Sequence, residues 1–93
     1  MAKPYRSRGR VVQELLATIQ ASGPIGITRL TAAVNLTHGR IQEHLASFLE
    51  NGLVEAAVAD GDRAAYRLTP RGHQALEELR RIDRAMQDFG LNL

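Results

Sequence analysis

The chain contains no cysteine. That excludes a disulfide framework, thiolate chemistry and cysteine-based zinc sites, and it suits a reducing compartment. No apolar run approaches the ~20 residues of a membrane-spanning helix. The first residues also lack the apolar core of a secretory signal. A cytoplasmic protein is expected, with no membrane contact. Lysine is almost missing too, Lys3 standing against eleven arginines. A guanidinium keeps its charge and binds phosphate as a planar fork, although a GC-rich coding sequence produces the same bias.

Histidine is scarce: His38, His44 and His73. None sits at a metal-ligand or triad spacing. His38 and His44 fall on different faces of a helix, and His44 borders an apolar stripe as a packing residue. Ser7 and Ser22 read as helix-end residues and Ser47 as surface. Asp60-Gly61-Asp62 matches only the start of a calcium loop, and a hairpin turn explains it better. The expectation is no enzyme, no cofactor, no metal and no evident small-molecule ligand.

Ninety-three residues are enough for one domain with a modest core. The net charge of +2 is unevenly placed. The first ten residues hold Lys3, Arg6, Arg8 and Arg10 without an acid, and the rest of the chain is slightly acidic. A basic arm on a nearly neutral body points to an anionic partner or to a solvated terminus.

Periodicity gives the element order. Ser7 can cap a first helix carrying Val11, Val12, Leu15, Leu16 and Ile19, which Gly23-Pro24 ends. Thr28 is the expected cap of a short second helix around Arg29 to Val34. Asn35-Leu36 is a turn, and Thr37 caps a third helix with Ile41, Leu45, Phe48 and Leu49 on its apolar side. Asn51-Gly52 supplies the exit. Residues 53–58 and 64–68 read as strands around Asp60-Gly61. Thr69-Pro70 opens a last helix reaching about Phe89, and Gly90 stops it.

Three helices, a hairpin and a fourth helix make an α+β, mostly α chain. The stretch ITRLTAAVNLTHGRIQEHLASFLENGLVE, the wing end YRLTPRG and the tail HQALEELRRIDRAM resemble the winged helix-turn-helix family. They look most like small archaeal DNA-binding proteins whose winged helix precedes a C-terminal helix that pairs with a second subunit. The resemblance covers about residues 8 to 89 and divides the chain into an arm (1–7), a winged helix-turn-helix (8–69) and a dimerisation helix (70–93). It implies that the second helix braces the third, that the third enters the major groove of double-stranded DNA, and that the wing lies over an adjacent groove.

In that arrangement the first turns of the third helix meet base edges. The base-reading candidates are Thr37, His38, Arg40, Gln42 and Glu43. Arg40 fits the two acceptors of guanine, Gln42 fits adenine, and Glu43 can accept from cytosine. Lys3, Arg6, Arg8, Arg10, Arg29, Ser47, Arg63 and Arg67 are the phosphate, arm and wing candidates. Relatives tend to carry lysine or arginine where this helix has Gln42 and Glu43, so nonspecific attraction must come largely from arm and wing.

In the last helix Ala75, Leu79, Ile82, Met86 and Phe89 recur at alternating spacings of four and three, a heptad seam. Leu93 continues it beyond Gly90. The seam predicts a homodimer, and a twofold dimer predicts a pseudopalindromic site. The expected function is a transcriptional regulator at the nucleoid. The rival readings are a winged helix that docks another protein and a nonspecific architectural DNA-binding protein.

Overall fold

In a computed structural model, residues 7–58 and 64–91 are described. Lys3, Arg6, Arg63, Leu93 and the Asp60-Gly61-Asp62 turn lie outside them. The elements run α1 (Arg8–Ser22), α2 (Ile27–Val34), α3 (His38–Glu50), β1 (Val54–Val58), β2 (Ala64–Leu68) and α4 (Pro70–Asp88). No helix among the described residues is long and apolar enough to cross a membrane.

Capping explains most of the boundaries. Ser7 Oγ accepts from the Arg10 amide, Thr37 Oγ1 from that of Arg40, and Thr69 Oγ1 from that of Gly72. Each bond satisfies an amide that has no partner inside its helix. Asn35 ends α2 in the left-handed region at φ 54 and ψ 51, which asparagine tolerates better than most residues.

The start of α2 corrects one expectation. The helix begins at Ile27, its N-cap is Gly26 and it has no side-chain cap, so Thr28 lies inside it. Ile25 is the reason. Its amide donates to the Tyr66 carbonyl at 3.0 Å and its carbonyl accepts from the Tyr66 amide at 2.9 Å. This short third bridge beside the antiparallel β1–β2 pair holds Ile25 extended, and the chain turns into helix directly after it.

Leu15, Leu16 and Ile19 of α1 meet Leu30 of α2, Ile41 of α3 and Leu76 of α4, all fully buried. Burying each such side chain contributes ~1.5–3 kcal/mol, so α1 is the central strut. Leu49 departs from the expected stripe and is 42% exposed, on the flank of α3.

The junction between α3 and α4 is tightly bonded. The Leu53 amide donates to the Phe48 carbonyl at 2.8 Å, and the Thr69 amide to the Leu53 carbonyl at 3.1 Å. Thr69 Oγ1 donates to the Gly52 carbonyl at 2.5 Å, and Arg71 Nε to that of Asn51 at 3.0 Å. Gly72 is buried against this bend, where an added Cβ would overlap the Leu53 carbonyl oxygen. These contacts set the direction of α4 relative to α3.

Candidate nucleic-acid interface

α3 divides along its length as a helix of 3.6 residues per turn must. Ile41, Leu45 and Phe48 point into the core, while Thr37, His38, Gly39, Arg40, Gln42, Glu43 and Ser47 are exposed. The cap at Thr37 and the packing on α2 and β1 hold this polar face in one orientation. The side chains of Arg40, Gln42 and His38 make no hydrogen bond or ion pair among the described residues, so their donors are free for another molecule.

His44 stands at the boundary. It is half-buried, its ring centre 6.1 Å from that of Phe48 and tilted by 34°. Burial, followed by the neighbouring Arg8 and Arg40 charges, pushes its imidazole below the ordinary value of 6.5. Its expected role as a packing residue agrees with this placement.

The basic candidates separate. Arg8, in the first turn of α1, comes beside α3 and lines a cleft with Arg40 and His44. Arg10, two residues on, turns the other way and binds Asp83 of α4 at 3.1 Å. On the wing, Arg67 Nε donates to Glu55 Oε1 at 2.8 Å. The two are direct cross-strand partners. Arg29 is exposed on α2. Ser47 is exposed and its hydroxyl lies 3.5 Å from the Asn51 amide nitrogen. Sequence spacing carried no sign of either ion pair, because Asp83 is 73 residues from Arg10 and the wing register is needed to set Glu55 against Arg67.

A polar, solvent-facing third helix braced by a second, with a two-stranded hairpin behind it, decides the architecture. The chain belongs to the winged helix-turn-helix family. The family model matches residues 5–87. Among solved structures, this winged helix superposes on Sso10a-2, a DNA-binding protein from Sulfolobus solfataricus, with a TM-score of 0.78 at 17% identity, over 90% of this chain and 85% of the other. A MarR-family transcriptional regulator from Silicibacter pomeroyi matches with a TM-score of 0.72 at 24% identity, over 84% and 53%. BpsR of Bordetella bronchiseptica, whose DNA binding is regulated by 6-hydroxynicotinic acid, matches with 0.76 at 16% identity, over 88% and 62%. The chain spans little more than half the length of these two regulators. No curated protein matches it in sequence.

The last helix uses two adjacent stripes. Gly72, Leu76 and Asp83 are buried against the domain, and Leu79 packs at the edge of the same core. Ala75 and Met86 are half-buried, whereas Ile82 is 48% exposed and Phe89 80%. At 100° per residue the two stripes lie about 80° apart. The five seam residues therefore do not act alike. Leu79 already serves its own domain, and Ile82 and Phe89 face solvent.

Proposed function

We propose that this protein is a DNA-binding transcriptional regulator that works without catalysis, as a homodimer on a pseudopalindromic site. α3 enters the major groove, Arg40 reads guanine through N7 and O6, and Gln42 reads adenine. Thr37 and His38 lie at the groove entrance, and Glu43 accepts from a cytosine amino group. Arg8, Arg29, Ser47 and the wing carry phosphate contacts, with the arm residues Lys3 and Arg6 and wing residue Arg63 adding charge. The observation that carries this reading is the exposed polar face of α3 in a winged helix, on which the Arg40, Gln42 and His38 side chains have no hydrogen bond or ion pair among the described residues.

In this reading residues 1–7 are the arm, 8–69 the DNA-binding unit and 70–93 the helix of the dimer. The exposed Ile82 and Phe89 support pairing of α4 with a second copy, along the flank that its own domain leaves open. The site of action is the nucleoid. Binding to mixed duplex DNA at two salt concentrations tests the first part. Binding that weakens steeply with salt is expected, and no binding at low salt ends the proposal. Sedimentation of Ile82→Asp tests the second, with a monomer expected and an unchanged dimer removing the seam from the interface.

One observation favours a protein-docking winged helix instead. Arg67 and Arg10 are already neutralised by Glu55 and Asp83, and Glu43 puts an acid on the probe helix. The same salt experiment separates the two.

A further inference from the structure

Gly39 lies in the first turn of α3, with helical backbone and no positive φ. An added Cβ there would meet no atom within 4 Å. Two other glycines show the contrast. Gly52 takes φ +72 at the exit of α3, and an added Cβ at Gly72 would overlap the Leu53 carbonyl oxygen. A glycine weakens a helix relative to alanine, because its backbone loses more freedom on folding. Gly39 therefore lowers the stability of α3, and no turn or packing contact among the described residues requires it.

Its place on the helix is specific. At 100° per residue Gly39 stands about 150° from the centre of the buried Ile41, Leu45 and Phe48 stripe, on the outermost ridge of α3. Gln42 and Glu43 follow one turn later, one on each side of it, and helical side chains lean toward the N-terminus. The bare Gly39 backbone is a notch between these two exposed polar side chains. On α3 the large exposed apolar side chain is Leu49, in the last turn. The Gly39 end offers donors, acceptors and open backbone, without the apolar anchor around which a protein-docking face is built.

We propose that Gly39 is the point of closest approach between α3 and the base edges of the major groove, and that its missing side chain sets how deep the helix sits. This rests on the DNA-binding reading. Close approach of backbone to a ligand is a use of glycine that no contact inside the chain reveals. Gln42 and Glu43 flank the notch and Arg40 follows it in sequence, so all three reach the bases only at the depth that Gly39 allows. A methyl at this position stands between the helix and the groove floor and lifts the three side chains together. Long arginine side chains follow such a shift and keep their phosphates, whereas a bidentate contact to a base loses its geometry.

The test sets stability against affinity in the full chain carrying Gly39→Ala or Gly39→Gln. The probes are the tightest duplex that the wild type recovers from a randomised library, and the unselected library itself. Gly39→Ala should melt at or above the wild-type temperature and yet bind the recovered duplex about tenfold more weakly. Gly39→Gln should bind it more weakly still. On the unselected library both losses should stay below about threefold, because the phosphate contacts survive. A role confined to the fold cannot raise the melting temperature and lower the affinity together. Unchanged affinity for the recovered duplex overturns the proposal. Equal losses on both probes, or a wild type that recovers no preferred duplex, overturn the base contact and leave the DNA reading standing. A melting temperature below that of the wild type shows that the fold itself uses this glycine, which also overturns the proposal. A wild type that binds no duplex at low salt ends the DNA reading and the proposal together.

Discussion

Arg10 donates from Nη2 to Asp83 Oδ1 at 3.1 Å, joining the first turn of α1 to α4 across most of the chain. Asp83 is nearly buried, and its second oxygen accepts from Gln87 Nε2 at 3.1 Å. A carboxylate at that depth needs both partners. It also sits beside the exposed Ile82 and so fixes which flank of α4 the domain covers. Asp83→Ala should cost about 1–2 kcal/mol in denaturant unfolding, reduced because Arg10 keeps partial access to water. A double-mutant cycle with Arg10→Ala should recover much of that loss as coupling. Independent effects of the two changes would show that the pair contributes little.

Two glycines make opposite predictions. At Gly72 a methyl would overlap the Leu53 carbonyl, so Gly72→Ala should destabilise by about 1–3 kcal/mol. At Gly39, in the first turn of α3, an added methyl meets nothing. Gly39→Ala should stabilise by about 0.4–1 kcal/mol through the lower entropy of the unfolded chain. Thermal melts of both variants check the pair. A neutral Gly72→Ala would mean that the bend before α4 relaxes easily.

His44 predicts a pH dependence with a definite sign. Its folded-state value lies below the ordinary 6.5, so below that pH the unfolded chain binds more protons than the folded one. The His44 contribution is therefore intact above 6.5 and declines as pH falls from there through the lower folded value. Between about pH 7.5 and pH 5.5, the wild type should lose more stability than His44→Gln. Parallel declines would assign the acid sensitivity to other groups.

Arg40 and Arg67 should fail differently on DNA. Arg40→Ala should reduce discrimination at one base pair by ~1–3 kcal/mol. Arg67→Ala should weaken all sequences alike and flatten the salt dependence by about one unit of slope. Glu55→Gln frees Arg67 and should strengthen binding to random duplex at low salt. Equal losses from Arg40→Ala on specific and random DNA would refute its reading role.

The legible parts of this protein were those governed by neighbours in sequence. Ser7, Thr37 and Thr69 cap the helices expected of them, and Asn35 takes the left-handed turn that its short polar side chain permits. The inward set Ile41, Leu45 and Phe48, and with it the outward set containing Arg40, follows from helical period alone. Thr28 is a good cap locally, yet α2 starts at Ile27 because the Ile25–Tyr66 bridge acts from 41 residues away.

The same division runs through the candidate site. Helical period and caps within three residues determined the helices, the polar face of α3 and the apolar spacing on α4, and strand alternation determined the hairpin between α3 and α4. Tertiary structure alone decided that Arg10 serves Asp83 while Arg8 joins Arg40 around the cleft, and that Glu55 occupies Arg67. It also decided that Leu79 packs at home while Ile82 and Phe89 stay open. Those outcomes depend on how α1 crosses α3 and α4 and on the wing register. Contacts between charges far apart in sequence follow the packing of the core, which no local pattern encodes.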